Sequence, residues 1–278
     1  MTITAKVITH SCAAGVPDLI TMQCRYPRFI HAEFMTHRVF SRNASSSRAI
    51  PIERMIQDVI DDPAMPVAWG SNKPGMQAGV ELPHWRVARE CWLDARDAAV
   101  ERAKEMMNLG AHKQIVNRLL EPFGHISVVV TATEWDNFFA LRCHPDADPT
   151  MRALAEAMWD AITASLPSDA AAMDGWHLPY ITLADCATIS GWLEDPEHAA
   201  HHLDFLPMIS AARCARVSYL NHDGSNPDIE KDLALAKRLL ESKHMSPFEH
   251  QAQANPYATD DAFWGNLSYW NQHRKMIE

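Results

Sequence analysis

Residues 125–133 form a run dominated by β-branched side chains, His125-Ile126-Ser127-Val128-Val129-Val130-Thr131-Ala132-Thr133. Such side chains favour extended backbone, so the run predicts a strand. Helical patterns lie on both sides of it, at residues 83–109 and 111–120 before the run and at residues 135–142 after it. Gly110 is expected to end the first of these helices. A strand enclosed by helices predicts an α/β fold.

The remaining predicted elements also include both strands and helices. Residues 4–10 and 19–25 alternate like strands. Tyr26-Pro27 then begins an apolar helical segment that ends near His37 and Arg38. Further helices are expected at residues 150–165, 206–216 and 228–242. With no internal repeat or low-complexity tract, the chain is predicted to be one α/β domain over residues 1–278 with helical excursions.

Charge and composition exclude several classes of protein. The 278 residues carry a formal net charge of −10, which opposes non-specific binding to nucleic acid. The sequence has no apolar run of about eighteen residues, the length that would predict a membrane span. Its amino terminus lacks the layout of a signal peptide, and its six cysteines are scattered without a Cys-x-x-Cys pair. We therefore expect a cytoplasmic protein with reduced thiols, no metal site, and neither nucleic-acid nor membrane partners.

Residues 35–48 combine three arginines, a histidine, an asparagine and four serines directly after an apolar segment. Arginine presents a planar fork of donors to phosphate, and small hydroxyl residues let backbone N–H groups approach an anion. The composition therefore favours an anion-binding loop. The alternative is a solvated polar loop, because Ser and Asn clusters are common in turns.

Four motifs resemble those of the flavin-dependent thymidylate synthases (ThyX). They are His37-Arg38 followed after seven residues by Ser46 and then Arg48, Asn137-Phe138-Phe139-Ala140-Leu141-Arg142, Ala215-Arg216-Val217-Ser218-Tyr219, and Ser246-Pro247-Phe248-Glu249-His250. The resemblance covers residues 20–50, 110–165 and 210–255.

The order of these motifs differs from the order in the family. Its members carry the Ala-Arg-Val and Phe-Glu-His elements before the His-Arg loop, whereas here residues 1–165 carry the loop and the Arg142 helix, and residues 206–255 carry the other two. The chain therefore resembles a circular permutation of the family fold, a rearrangement that a packed core tolerates when the original termini lie close together.

The resemblance implies a single ThyX-like catalytic domain, with a mixed or antiparallel sheet flanked by helices. It implies a methyltransferase of dTMP biosynthesis that uses FAD, NADPH and methylenetetrahydrofolate to methylate carbon 5 of dUMP. It also implies a homotetramer with its sites at subunit interfaces.

The resemblance further implies a role for individual residues. Arg142 corresponds to the arginine at the pyrimidine ring, where it would be catalytic by stabilising charge on the ring. The substrate-binding residues would be Arg142 together with Glu33, Ser46, Ser47, Arg48 and Arg118. The flavin-binding residues would be His37, Arg38, Asn43, Asn137 and His250. An ion pair between Arg118 and Glu121 is the alternative interpretation of Arg118.

Three positions depart from the family pattern. Thr36 replaces the first Arg of Arg-His-Arg, Ala44 replaces a Glu, and Glu33 replaces a Gln that commonly faces the nucleotide. Arg42 or residues 273–275 are candidates to compensate for the lost positive charge. A carboxylate can also accept from the amino group of cytosine. A hydroxymethylase of dUMP or dCMP and a flavin-binding relative without catalysis therefore remain open as alternative functions.

Two further groups have reactive side chains. Cys143-His144 resembles the nucleophile of the unrelated classical thymidylate synthases, and Arg142 beside it would lower the pKa of a thiol. We expect no such role, because a reduced flavin would supply the electrons. His198 and His202 have the spacing of a metal pair on a helix. A third ligand is not evident in the sequence.

Overall fold

The computed structural model describes residues 3–192, 202–217, 228–257 and 261–278, with no side chains described for 202–204. The candidate metal pair, His198 and His202, therefore lies outside the described side chains. Ser218 and Tyr219 of the Ala-Arg-Val motif also lie outside the described residues.

The main sheet is mixed and has the strand order β3-β4-β2-β1-β5. Its strands are β1 (Thr4–Cys12), β2 (Leu19–Pro27), β3 (Ser41–Ala44), β4 (His125–Ala132) and β5 (Ser168–Asp169). Strands β1 and β5 are parallel, and the other neighbours are antiparallel. The predicted strands at residues 4–10, 19–25 and 125–133 are all present with slightly different ends.

The described helices flank this sheet and a smaller one. They are α1 (His31–Phe34), α2 (Ile52–Asp61), α3 (Trp85–Asn108), α4 (Lys113–Leu120), α5 (Asp136–Arg142), α6 (Pro149–Thr163), α7 (Leu183–Trp192), α8 (His202–Ala215), α9 (Ile229–Glu241) and α10 (His273–Ile277). Gly110 follows α3 with a φ of +79°, as expected for a glycine that ends a helix. In the described part of the chain, no helix has the length and apolar character needed to cross a membrane.

One face of the main sheet packs on helices α5 and α6. Met22 on β2 and Val130 on β4 are fully buried there against Phe138 and Leu154. Each buried side chain of this size contributes about 1.5–3 kcal/mol from removal of apolar surface from water. This packing holds α5, and therefore Arg142 at its end, against the sheet.

The opposite face of the main sheet is covered by α8 and by a second, three-stranded sheet. That sheet has the order β6-β7-β8, with β6 (Trp176–His177), β7 (Ala252–Ala254) and β8 (Trp270–Gln272). It was not predicted, because strands of two or three residues are too short to show an alternating pattern.

Helix α2 was also not predicted. Its Met55, Ile56 and Val59 pack with α3 and α4 in a separate apolar cluster.

The loop conformation predicted for residues 35–48 is wrong in part, because Ser41–Ala44 in the middle of this segment is strand β3, paired with β4. A polar segment can form an edge strand when a neighbouring strand offers backbone hydrogen bonds. The predicted α/β class is confirmed, whereas the circular permutation stays a prediction.

Candidate functional site

The candidate residues fall into three groups along β3 and β4. The cleft group is Glu33, His37, Arg38, Asn137 and Arg142. The loop group is Ser46, Ser47, Arg48 and Arg118. The face group is Asn43 and His250, on the side of the sheet covered by α8.

His37, Arg38, Asn137 and Arg142 of the cleft group line a cleft of about 670 Å³ beyond the carboxyl end of β4. Glu33 belongs to the group through its ion pair with Arg142. His37 and Arg38 reach the cleft from the turn after α1, and Asn137 and Arg142 reach it from α5. The Arg38 side chain is exposed and has no hydrogen bond or ion pair with any described residue. The cleft can therefore present positive charge to an anionic ligand.

Arg142 is held by three neighbouring side chains. Its Nε donates to His37 Nε2 at 2.8 Å, and one terminal nitrogen donates to Thr36 Oγ1 at 3.3 Å. The other terminal nitrogen of Arg142 lies 3.6 Å from Glu33 Oε2. The Arg142 side chain is 21% exposed. Arginine has five N–H donors, so these two hydrogen bonds orient the guanidinium and leave donors that can face a ligand.

His37 is neutral and has a defined tautomer. Burial lowers the pKa of His37, and the positive charges of Arg142 and Arg42 lower it further. Because Arg142 donates to its Nε2, we assign the ring proton to Nδ1. Arg42 also donates to the carbonyls of Met35 and His37 at 3.0 Å each. Arg42 therefore holds the turn after α1 through one terminal nitrogen, and its role in compensating for the lost positive charge stays a prediction.

Two residues of the loop group, Ser47 and Arg118, bind one carboxylate. Ser47 Oγ donates to Glu121 Oε1 at 2.6 Å, and Arg118 donates to both Glu121 oxygens at 3.2 Å. The ion pair between Arg118 and Glu121, which was the alternative interpretation of Arg118, is therefore present. Ser46 and Arg48 are exposed, and Arg48 has no hydrogen bond or ion pair with any described residue. These two residues and Arg118, with 58% of its side chain exposed, remain accessible to an anion.

One copy of the chain keeps the loop group and the cleft group apart. The N–H of Ser45 donates to Ser127 O at 2.8 Å, which places the loop group beside Ser127. Thr133 lines the cleft at the other end of the strand. An extended strand advances about 3.3 Å per residue, or about 20 Å from Ser127 to Thr133. This is longer than a nucleoside monophosphate.

The face group joins the carboxyl third of the chain to the main sheet. Asn43 Nδ2 donates to Cys214 O at 2.8 Å, and Ser246 Oγ donates to Asn43 Oδ1 at 3.2 Å. His250 Nδ1 forms a hydrogen bond of 2.8 Å with Thr131 Oγ1. The Ala-Arg-Val and Phe-Glu-His elements therefore both meet β3 and β4, as the resemblance requires.

One ring nitrogen of His250 is buried and has no hydrogen-bond partner among the described residues. The ring is fully buried, and burial lowers the pKa of His250 to about 3. Its Nε2 is buried without a hydrogen-bond partner among the described residues. A buried polar atom of this kind costs free energy unless a ligand or water satisfies it, so His250 is a candidate contact for a cofactor.

The other compensating candidate is also engaged. Arg274 of residues 273–275 forms ion pairs with Glu249 and with Glu278. These carboxylates neutralise its charge, so this segment offers no unpaired arginine to a substrate.

Cys143 lies outside the cleft group. It lines a separate cavity of about 460 Å³ together with Trp159. Burial raises the pKa of Cys143, and the nearby carboxylates of Glu156 and Asp160 raise it further. The idea that Arg142 would lower this pKa is wrong, because those effects dominate at the thiol. Within the described residues, no three His, Cys, Asp or Glu side chains are placed to hold a metal ion.

The sequence model of the family described as thymidylate synthase complementing protein matches residues 19–168, more than half of the 278 residues. Among curated proteins, none matches the chain.

Similar solved structures include a nucleotide methylase and a thymidylate synthase. The UMP/dUMP methylase PolB from Streptomyces cacaoi, bound with 5-Br dUMP, has 17% identity over 58% of this chain and 90% of that chain, with a TM-score of 0.48. The flavin dependent thymidylate synthase ThyX from Helicobacter pylori, complexed with FAD and dUMP, has 15% identity over 52% of this chain and 67% of that chain, with a TM-score of 0.36.

Proposed function

Because the chain belongs to the thymidylate synthase complementing protein family, we propose that it is a flavin-dependent methylase of a pyrimidine nucleotide, acting on carbon 5 of dUMP. The family match, over residues 19–168, contains two of the four motifs and confirms the resemblance to this family. The single observation that supports the proposal most is the oriented Arg142 guanidinium at the cleft. In the proposed reaction, methylenetetrahydrofolate donates the one-carbon unit and NADPH reduces the flavin.

Arg142 would act on the pyrimidine ring. As carbon 5 becomes nucleophilic, negative charge develops on the ring oxygen O2 and on N3. A guanidinium already oriented by His37 and Thr36 stabilises that charge without reorganising during the reaction. This is why Arg142 is proposed as the catalytic residue.

The residues present fit a flavin dinucleotide. The cleft of about 670 Å³ offers Arg38, His37 and Asn137. The buried His250 Nε2, which lacks a partner among the described residues, lies outside this cleft, so one flavin would meet both only across a subunit interface. Once reduced by NADPH, the bound flavin would supply the hydride that completes the methyl group. Arg38 would pair with its phosphates, and Asn43 would keep the Phe-Glu-His element against β3.

The separation between groups supports a site built by more than one copy. Ser46, Ser47, Arg48 and Arg118 would hold the substrate phosphate, whereas Arg142 would hold the ring. Because about 20 Å of strand separates these groups in one chain, the two contacts are proposed to come from different subunits. A homotetramer, as the resemblance implies, would provide such interfaces.

The pair of Glu33 and Arg142 favours a second candidate substrate. A carboxylate 3.6 Å from the guanidinium offsets part of its charge and supplies an acceptor beside it. Cytosine carries an amino group that donates to carboxylates. The second candidate is therefore a methylase or hydroxymethylase of dCMP.

The test is product formation by the purified protein with FAD, NADPH and methylenetetrahydrofolate. Wild-type protein is incubated with dUMP or with dCMP, and the product mass distinguishes methyl from hydroxymethyl transfer. We expect a flavin absorption spectrum and methylated dUMP. Product from dCMP alone would replace the first candidate with the second, and the absence of both flavin and product would refute the proposed function.

Variants test the proposed role of Arg142. Arg142→Ala should lower turnover about a hundredfold or more, as removal of an oriented donor does. Arg142→Lys should not restore it, because an ammonium cannot reproduce the planar fork. The matched control is Arg152→Ala, which removes a partly exposed arginine paired with Glu156 on α6. Near-wild-type turnover by Arg142→Ala would exclude this residue from the mechanism.

A further inference from the structure

Five buried side chains form one continuous hydrogen-bonded chain across the main sheet. Ser11 Oγ bonds to His177 Nδ1 at 2.8 Å, and His177 Nε2 bonds to Thr21 Oγ1 at 2.7 Å. Thr21 Oγ1 bonds to Thr131 Oγ1 at 2.6 Å, and Thr131 Oγ1 bonds to His250 Nδ1 at 2.8 Å. None of the five is more than 3% exposed.

The chain connects segments that are far apart in sequence. Ser11, Thr21 and Thr131 lie on β1, β2 and β4, whereas His177 lies on β6 and His250 precedes β7. His177 and His250 are outside the family match, which ends at residue 168. The two histidines therefore attach the second sheet to the main one through polar contacts.

Proton counting permits only two fully bonded arrangements. A neutral imidazole carries one N–H, and a hydroxyl has one proton to donate. In the first arrangement every donor points from Ser11 toward His250, so both histidines carry their proton on Nε2. In the second every donor points the other way, so both carry it on Nδ1. Any mixed arrangement loses at least one of the four bonds, which is costly in a dry interior.

Both histidines are neutral at neutral pH, so each ring carries a single N–H. Burial is the main cause that lowers the pKa of each ring to about 3. Neither is therefore an imidazolium with two donors.

We propose that the tautomers of His177 and His250 are linked through the Thr21–Thr131 hydroxyl pair, so that His177 is a positioning residue for His250. The unpartnered Nε2 of His250 is a donor in the first arrangement and an acceptor in the second. A ligand atom that meets this Nε2 selects one arrangement, and the choice extends to Ser11. The linkage itself does not depend on the proposed function; only its effect on flavin binding does.

The test is nitrogen NMR on the full chain labelled with ¹⁵N-histidine, in which protonated and bare ring nitrogens resonate far apart. His177→Gln and His250→Gln assign the two rings. Wild-type protein should show the same tautomer at both histidines. Opposite tautomers in the wild type would overturn the proposal.

Thr21→Val removes the hydroxyl in the middle of the chain while preserving the side-chain shape. Without the hydroxyl at position 21, His177 keeps one bond, which it donates from Nδ1 to Ser11, whereas His250 bonds to Thr131 equally well in either tautomer. The variant should therefore show the His177 proton on Nδ1 and a mixture of tautomers at His250. Thr150→Val is the matched control, because Thr150 is a buried threonine that accepts from Val67 N–H and lies outside the chain. A single tautomer shared by both histidines in folded Thr21→Val would refute the linkage.

Thr21→Ser keeps the hydroxyl and should keep the wild-type pattern, so it provides a test even if Thr21→Val does not fold. Loss of the shared tautomer in Thr21→Ser would contradict the proposal. A second measurement is FAD affinity, which we expect Thr21→Val to weaken about tenfold and Thr21→Ser to preserve. If wild-type protein binds no flavin, the proposed function fails while the tautomer measurement still decides the linkage.

Discussion

Replacing Arg213 with leucine tests a buried ion pair of helix α8. The Arg213 side chain is fully buried, and it donates two hydrogen bonds to Asp185, at 2.7 and 2.8 Å. It also donates to Asp232 at 2.9 Å and to Tyr180 O at 2.7 Å. Burial alone would raise the pKa of Asp185, but the hydrogen bonds from Arg213 and Thr182 keep that pKa below its ordinary value. Asp185 is therefore ionised and depends on Arg213.

The expected loss follows from the charge left behind. Asp232 keeps Arg216 as a partner, whereas Asp185 would be left near the interior without a guanidinium. Removing one partner of a buried ion pair costs about 3–5 kcal/mol, against about 5–15 kcal/mol for the stability of a whole protein. For a protein of this size, the melting temperature should fall by roughly 10 °C.

The assay is thermal and urea unfolding followed by far-ultraviolet circular dichroism at pH 7. The matched control is Arg102→Leu, because Arg102 pairs with Glu105 at 2.7 Å but is 63% exposed, and such a pair contributes about 0.3–0.5 kcal/mol. The double variant Arg213→Leu/Asp185→Leu should regain part of the loss, since it removes the unpaired carboxylate. Equal losses for Arg213→Leu and Arg102→Leu would refute the reasoning.

Two further predictions concern titration and the thiol. Burial lowers the pKa of His177 and His250 to about 3 and of His273 to about 4, so below about pH 6.5 the unfolded chain binds more protons than the folded one. Stability should fall by about 1.4 kcal/mol per pH unit for each of them as the pH drops toward 4, and a flat urea-midpoint profile between pH 7 and 4.5 would contradict this. Cys143→Ala should keep most product formation, because its raised pKa and its position outside the cleft oppose a nucleophilic role. A folded, flavin-loaded but inactive variant would instead favour thiol chemistry.

The elements that the sequence predicted are those whose signal is local. The run at residues 125–133 became β4 and the pattern ending at Gly110 became α3, because β-branched side chains and helical spacing act within one segment. The four motifs likewise indicated the family from short stretches of sequence. Strand β3 was missed because its polar residues are extended only through pairing with β4.

The partners of the candidate site residues depended on contacts between distant segments. The resemblance to the family indicated Arg142 and Ser47 as site residues, but only the packed fold placed His37 against the first and Glu121 against the second. The same holds for His177 and His250, which no local pattern connects and which the sheet brings into one hydrogen-bonded chain. Sequence determined which chemical groups are present and the local backbone that carries them. Tertiary structure decided which groups meet, because strand register and helix packing bring together residues that are far apart in the chain.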